Sequence, residues 1–381
     1  MTRPRRHRNR KGTILVLAAF MLVVLFAVLM LAVDLGYLYV TQTQMQRTAD
    51  AAAIAAVWEL VDEDALAGNP DPNQLETNAR AEAAEFAGYN EVLKQVTQLG
   101  QTDVVVGYLA DPSDPNEAID TSGNNTPNVV RVTVCRTDQQ NGAVPLYFAP
   151  LLGIADAEVQ TEATAALLYN FGGFQAPSNG GNLGMLPFAL DQLTWDDMMT
   201  NGIGTDDWTW DEVNKEISSG ADGILEVNLY PQGTGSPGNR GTVDIGSNNN
   251  STADIARQIT DGVTPADLAF HGGSLELDED GELELNADTG ISAGVKDELA
   301  SIKGEPRIIP IFASVSGNGN NAQYVIIQFV GVRIMDVKLT GKMSGKRVII
   351  QPANIITGGG IPSSATSPTS QFVYSPGWLI R

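Results

Sequence analysis

Residues 13–33 read TILVLAAFMLVVLFAVLMLAV, a run of 21 residues without a charged side chain, and Asp34 follows it directly. About 20 apolar residues in a helix cross the hydrocarbon core of a bilayer, because the helix satisfies its own backbone polar groups where no water can. The run therefore predicts a transmembrane helix over residues 13–33. A cleaved secretory signal is the alternative, but its apolar region is typically about 7–15 residues long and ends at a small-x-small site. Met30-Leu31-Ala32 is a poor site, so we expect an uncleaved anchor.

The tail before this run, residues 1–12, is basic and contains no acid. Basic residues next to a membrane span favour the cytoplasmic side. The tail therefore predicts a single-pass protein of the inner (cytoplasmic) membrane, with its N-terminus in the cytoplasm and most of the chain outside it. The basic residues are Arg3, Arg5, Arg6, Arg8, Arg10 and Lys11.

The rest of the chain is strongly acidic. Of 381 residues, the 348 that follow residue 33 carry 17 Lys and Arg against 45 Asp and Glu, a formal charge of −28. Such a surface repels phosphate backbones, which argues against nucleic acid as a partner. The single cysteine, Cys135, excludes an intramolecular disulfide, although the expected compartment would permit one. Cys135 ends an alternating strand pattern and is interpreted as a small packed side chain.

A long helix is expected to continue out of the membrane, since residues 37–66 contain neither glycine nor proline. Apolar or small residues recur there at helical spacing, so one rod is predicted from about residue 14 to 63. Two interpretations of its alanines stay open. The helix packs on its own domain, or it self-associates with other copies through a seam of small residues that lets backbones approach closely. The seam residues are Ala49, Ala52 and Ala56.

The overall prediction is an α+β protein. A second helix is expected near residues 74–93 and strands at 103–109, 129–135 and 155–168, whereas a glycine-rich stretch then favours a loop. The predicted organisation is a basic tail over 1–12, a transmembrane helix over 13–33, a helix with an α+β unit over 34–169, a linker over 170–184 and a β-rich exported domain over 185–381.

The second domain is expected to be built on strands rich in isoleucine and valine at 307–315, 322–339 and 347–356. A β-hairpin is predicted before them. Leucines alternate with acids at 275–277 and at 283–285, on both sides of an Asp-Gly turn, and this pattern is typical of paired strands with one buried face.

The sequence offers no constellation for catalysis. A serine hydrolase needs a nucleophile beside a histidine base, usually on a G-x-S-x-G turn, and that turn is absent. Two histidines and one cysteine also make a zinc site improbable. We therefore predict a non-enzymatic protein and assign no catalytic, cofactor-binding or metal-binding residue.

An alternative function is an anchored binding module for envelope glycan, with or without calcium. Exposed tryptophans beside carboxylates bind sugars by stacking and hydrogen bonding, and Trp195, Trp208 and Trp210 lie in an acidic stretch. Calcium needs six to eight oxygens, and Asp278-x-Asp280-Gly281 begins like a calcium loop but lacks the later acids. Buried tryptophans and a solvated turn are the simpler interpretations.

The N-terminal sequence resembles TadG-like proteins of the tight-adherence (Flp pilus assembly) system. The resemblance rests on Lys11-Gly12, the apolar run, AVDLGYLY at 32–39 and QMQRTADAAAIAA at 44–56. VPLYFAPLLGI at 144–154 is similar to the segment after that domain in family members, and PGNRGTVDIG, GGSLELDEDGELEL, DTGISAGVKDEL and RIIPIFASVSGNGNN resemble the C-terminal region of larger bacterial relatives. The resemblance implies an envelope protein associated with pilus assembly and adhesion, with pilus-assembly components as partners and without catalytic residues.

Two departures limit what the resemblance implies. Pilin-like members are processed after a glycine and carry glutamate five residues later, where this chain has Leu17 after Gly12. Many TadG proteins also carry a von Willebrand-type domain, whose Asp-x-Ser-x-Ser metal motif is absent here. The sequence therefore favours a lasting anchor that acts by assembly or scaffolding.

Overall fold

The computed structural model describes residues 11–112, 114, 116–230, 241–246, 251–289, 291–317, 322–363, 365 and 368–380. The predicted basic tail lies outside these residues, apart from the backbone of its last positions. The predicted α+β class is confirmed, with one long apolar helix at the N-terminus, further short helices and a β-rich C-terminal part. The helices are α1 Lys11–Trp58, α2 Pro72–Tyr89, α3 Gln192–Asn201, α4 Thr252–Asp261, α5 Pro265–Ala269 and α6 Lys296–Ser301.

Helix α1 runs without a break for 48 residues, a length of about 72 Å at 1.5 Å per residue. The sequence predicted this rod, but α1 ends at Trp58 rather than near residue 63. The amides of Glu59, Leu60 and Val61 bond to carbonyls three residues back, which tightens the end of the helix. Acids accumulate there, and their charge is unfavourable beside the negative end of the helix dipole.

An N-terminal unit forms where α1 and α2 pack on a four-stranded antiparallel sheet. The order of its strands is β1 Val104–Gly107, β2 Val129–Arg136, β5 Val159–Ala166 and β21 Trp378–Leu379. Asp71 caps α2 by accepting hydrogen bonds from the backbone N–H groups of Asn73 and Gln74. The strands of the chain are β1 Val104–Gly107, β2 Val129–Arg136, β3 Val144–Pro145, β4 Asp156–Ala157, β5 Val159–Ala166, β6 Phe171–Gln175, β7 Phe188–Asp191, β8 Trp208–Asp211, β9 Glu216–Ser219, β10 Val227–Asn228, β11 Gly241–Val243, β12 Ser274–Glu276, β13 Leu283–Thr289, β14 Pro306–Ser316, β15 Ala322–Lys338, β16 Arg347–Pro352, β17 Ile355–Ile356, β18 Gly360–Pro362, β19 Ser370–Gln371, β20 Val373–Tyr374 and β21 Trp378–Leu379.

The C-terminal part is organised around the 17-residue strand β15. One edge of β15 pairs with β14, and the other edge pairs with β13, β19 and β16 along its length. Because β13 pairs with β11, β11 with β7 and β7 with β14, the pairings close into a ring of five strands. Apolar clusters occupy both faces of these strands, and α3, α4 and α6 cover one of them.

Two local expectations are wrong. The leucine-rich segments do not form a hairpin, since β12 pairs with β6 whereas β13 pairs with β11 and β15. The glycine-rich stretch 170–184 is not all loop, because it contains β6. A Cβ on Gly173 would lie 2.5 Å from the carbonyl oxygen of Leu275, so glycine is what allows β6 to pair so closely. The domain boundaries themselves stay a prediction.

The end of the chain returns to the N-terminal unit. Strand β21 pairs with β5, and the Leu168 N–H donates to Ser375 Oγ at 2.8 Å. Asn354 Nδ2 also donates to the carbonyl oxygen of Asp62, which follows α1, at 3.2 Å. These contacts place the C-terminal part at the end of α1 that is remote from the apolar run.

Candidate functional site

The two halves of α1 have opposite surroundings. Every side chain over 14–33 except that of Met30 is exposed, and all of them are apolar. Further along the helix, Met45, Ala49 and Val57 are fully buried in the core of the N-terminal unit. Among the described residues, α1 is the one helix long and apolar enough to cross a membrane. A single helix therefore presents an exposed apolar surface over its first half and forms part of a protein core over its second half.

The helix carries a buried carboxylate where these halves meet. Asp34 is 4% exposed. Its oxygens accept hydrogen bonds from the backbone N–H groups of Tyr147 at 2.9 Å, Phe148 at 3.1 Å and Ala149 at 2.7 Å. Several N–H donors stabilise an ionised carboxylate, and they compensate for its burial. The rings of Tyr37 and Tyr147 meet edge to face, 5.1 Å apart.

Sequence reasoning missed this contact. In the sequence, Asp34 is only the first charged residue after the apolar run. Tyr147, the first residue of the segment that Asp34 binds, comes 113 residues later. A lone acid at the end of an apolar run was the available signal, since a carboxylate in that position needs donors when it is buried.

The alanine seam lies inside the chain's own fold. Ala49, Ala52 and Ala56 are each 0% exposed and pack in one cluster with α2 and the sheet. Since the chain's own residues cover them completely, a second copy cannot reach them without unfolding the unit. Of the two interpretations that the sequence left open, the helix packs on its own domain.

The three tryptophans are not arranged as a sugar platform. Trp195 is 1% exposed, and its indole N–H donates to Gln371 Oε1 at 2.7 Å. The guanidinium of Arg333 lies 4.3 Å from the ring centroid of Trp210. The Lys303 ammonium lies 5.7 Å from the ring centroid of Trp208. Packing and cation–π contacts thus occupy surfaces that a sugar would need.

The segment that resembles a calcium loop is a hydrogen-bonded turn. The Asp278 carboxylate accepts from the N–H groups of Asp280 at 2.9 Å and Glu282 at 3.0 Å, and Gly281 adopts a φ of +79°. Both bonds go to Oδ1 of Asp278, so the backbone of the turn already uses this oxygen. Within the described ranges, no group of three or more His, Cys, Asp or Glu side chains is placed to hold a metal ion.

Two further titratable groups serve the fold. Glu226 is 1% exposed and accepts from the N–H groups of Asp207 and Trp208 at 2.9 Å, so it organises the start of β8. Desolvation raises the pKa of Glu226, although these bonds oppose the shift. Burial likewise raises the pKa of the half-buried Cys135 thiol, which disfavours the reactive thiolate.

Comparisons with known families agree with the N-terminal architecture. The Flp pilus-assembly TadE/G-like family matches residues 12–59, which lie on α1 and its end. The Tad-like Flp pilus-assembly family matches residues 41–165, from the buried half of α1 into β5. No curated protein and no solved structure gives a significant match. Over residues 12–165, the chain is thus similar to TadG-like proteins of Flp pilus assembly.

Proposed function

We propose that the chain is a non-catalytic scaffold of Flp pilus assembly, anchored in the cytoplasmic membrane by residues 13–33. The observation that carries the proposal is the continuity of α1, which is exposed and apolar over one half and buried over the other. A rod of this kind holds a folded unit at a fixed distance from the bilayer. A scaffold needs that geometry to present binding surfaces to the other assembly components.

Charge supports the proposed orientation. Six basic residues precede the apolar run, and the acids of the chain all come after it. Basic residues stay on the cytoplasmic side of a span, so the acidic part would be extracytoplasmic. The proposed organisation is that of the sequence prediction, with the α+β unit over 34–169, a boundary over 170–184 and the β-rich part over 185–381.

The described side chains offer little to a hydrolase. His271 is half-buried, its Nε2 has no hydrogen-bond partner, and desolvation lowers its pKa. A general base needs a substrate or a nucleophile within reach. Self-association through the three seam alanines is not part of the proposal, because the fold buries them. The glycan alternative is not favoured either, since Trp195 is buried and Trp210 lies against Arg333.

Membrane anchoring is tested by a charge in the middle of the span. Val23→Arg is expected to reduce membrane integration, because an arginine at the centre of a bilayer costs about 2.5–3.5 kcal/mol. Leu193→Arg is the matched control on α3, where Leu193 is 77% exposed. Alkaline extraction should leave the wild-type chain and the control in the membrane pellet and release the Val23→Arg chain. Release of the wild-type chain would refute the anchor.

The scaffold role is tested by complementation in a host from which the gene has been deleted. Electron microscopy should show surface pili when the wild-type or Leu193→Arg chain is supplied. Pili should be absent with no chain, or with the Val23→Arg chain. Normal piliation in the deletion strain would contradict the role in assembly, whether or not the chain is a membrane protein.

A further inference from the structure

The segment that includes β3 and leads to β4 is apolar and largely exposed. Residues 143–155 read AVPLYFAPLLGIA, with no charged side chain, and we name them the apolar tip. Tyr147 is 64% exposed, Leu151 75%, Leu152 84% and Ile154 55%. Single exposed leucines are common, but a contiguous apolar group at the end of a loop marks an interaction site.

The loop is ordered by its own hydrogen bonds. The N–H of Leu146 donates to the carbonyl oxygen of Ala155 at 3.1 Å, which closes the base of the tip. A 3-10 turn, Ala149–Leu152, comes next, and Gly153 ends it with a φ of +88°. The two leucines are therefore presented on a defined backbone.

The Asp34 contact fixes where the apolar tip lies. Its three backbone bonds join the tip to the residue that immediately follows the apolar run of α1. Tyr37 and Tyr147 form an aromatic pair at the same level, and Tyr39 is 72% exposed nearby on the helix. Tyrosines are enriched where a membrane meets water, because one end of the ring is apolar and the other polar.

Charge distinguishes the tip from the rest of the acidic chain. After residue 33 the chain carries 45 acids against 17 bases, and anionic lipid repels such a surface. A stretch of 13 residues without charge, held beside the end of the span, meets no such repulsion. The surface that Asp34 holds beside the end of the apolar run is thus the one suited to enter a bilayer.

From this placement we infer that the apolar tip inserts into the interfacial layer of the bilayer that holds α1, as a second membrane contact of the N-terminal unit. The inference rests on the proposed anchoring by residues 13–33. Leu151, Leu152 and Ile154 bury their side chains among the lipid, and Asp34 keeps the tip at that depth. The unit is therefore held to the membrane at two points and not only by its helix.

The test places one environment-sensitive fluorophore at a time on the full-length chain. Cys135→Ala removes the only native thiol, and Leu152→Cys, Val24→Cys or Leu193→Cys supplies a new one. Val24 lies within the span. Leu193 is an exposed leucine of α3. Helix α3 lies at the end of α1 that is remote from the span, because Met198 of α3 lines the same cavity as Leu66, which follows α1. Each labelled chain is reconstituted in phosphatidylethanolamine–phosphatidylglycerol vesicles with nitroxide lipids labelled near the headgroup or at mid-chain.

The expected result is a loss of emission at position 152 that is larger with the headgroup-side nitroxide, a loss at position 24 that is larger with the mid-chain nitroxide, and no loss at position 193. If position 24 is quenched while position 152 behaves like position 193, the anchor holds and the inference is overturned. If a second copy or another protein covers the tip, position 152 is likewise not quenched, and the inference is overturned in the same way. If position 24 is not quenched, the proposed anchoring fails and the inference fails with it. Unchanged circular dichroism of the labelled chains verifies their fold.

Discussion

Helices α1 and α2 both contribute small side chains to the core of the N-terminal unit. These alanines belong to one apolar cluster with the sheet, and each of them is 0% exposed. A close-packed interior has no free volume for a larger side chain. The pattern that would suit an interface between copies is thus used within one chain. The alanines are Ala49, Ala52 and Ala56 on α1 and Ala79, Ala83 and Ala87 on α2.

Replacing Ala52 by leucine is expected to destabilise the N-terminal unit. The added isopropyl group overpacks a fully buried position, at a cost of about 1–3 kcal/mol. Urea denaturation of the full-length chain in detergent, followed by circular dichroism, measures the loss. Ala84→Leu is the control, because Ala84 is exposed on α2. Equal stability of the two variants would show that α1 does not pack as described.

Asp267 joins two helices of the C-terminal part. Its oxygens accept hydrogen bonds from Arg257 Nη2 at 2.7 Å and Nη1 at 3.0 Å, and from the Thr264 N–H at 2.8 Å. Desolvation acts to raise the pKa of Asp267, but these bonds outweigh it and hold the pKa below the usual 3.8. The ionised form therefore stabilises the fold above pH 4, and this contribution is lost as the pH falls through the lowered pKa.

Asp267→Asn is expected to lower the free energy of unfolding by about 1–3 kcal/mol near neutral pH, because bonds to a charged group are lost. The difference from wild type should shrink below pH 4, where the wild-type carboxylate also becomes protonated. Thermal unfolding measured across this pH range tests the prediction. Asp261→Asn, at an exposed carboxylate of α4, is the control and should change little. A difference that does not depend on pH would exclude the ionised carboxylate as the cause.

At the scale of elements, the sequence predicted those whose signal is local. The stripe of α1 and the alternation of β2 are periodic over adjacent residues, and both elements form as expected. The predicted hairpin failed because alternating leucines show only that a strand has one buried face. They do not show its partner, and β12 and β13 pair with different sheets. Strand β6 was missed since glycine weakens the strand signal where close pairing requires it.

The candidate site was predictable in part for the same reason. The apolar run and its basic flank are contiguous in sequence, so the anchor could be proposed from composition alone. The pairing of Asp34 with Tyr147, Phe148 and Ala149 joins segments more than 110 residues apart, and no local pattern encodes it. Burial of the alanines likewise depends on α2 and the sheet, and sequence periodicity does not show where these elements lie relative to α1.

The return of the chain beside α1 depends on the absence of a side chain at Gly377. A Cβ at this position would lie 2.7 Å from Val57 Cγ1, inside contact distance. Gly377→Val should therefore displace the approach to β21 and lower the free energy of unfolding by about 1–3 kcal/mol. Gly345→Val is the control, because nothing lies within 4 Å of a Cβ there. Matching melting temperatures for these two variants would contradict the described packing of β21.

In the whole molecule, the two parts are joined in more than one place. Strand β21 completes the N-terminal sheet, Ser375 bonds to Leu168, and Asn354 bonds to the chain that follows α1. Segments far apart in sequence thus support one another. We expect the parts to unfold together, even if their boundary lies over 170–184 as predicted.

Gly331→Ala tests this coupling from the C-terminal side. A Cβ at Gly331 would lie 2.3 Å from the carbonyl oxygen of Ala353 and 2.5 Å from that of Phe372. Because both are backbone atoms that cannot move aside, we expect Gly331→Ala to lower the free energy of unfolding by about 3 kcal/mol. The half-buried Cys135 reports on the other part, through its reactivity with a thiol reagent during a temperature ramp.

Coupled parts predict that Cys135 becomes reactive at a lower temperature in Gly331→Ala than in wild type, together with the change in tryptophan fluorescence. Gly345→Ala, in open space, should leave both transitions in place. If tryptophan fluorescence shifts while Cys135 reactivity does not, the parts unfold independently and the coupling is refuted.

The unbroken α1 also determines how the protein would respond to the thickness of its membrane. The apolar run spans about 32 Å as a helix, close to the roughly 30 Å of a hydrocarbon core. A thinner bilayer makes such a span tilt. Since the described helix runs to Trp58 without a loop, no flexible linker separates the span from the unit. Under the proposed anchoring, the attached unit tilts together with the span. Lipid composition would therefore set the direction in which the unit faces its partners.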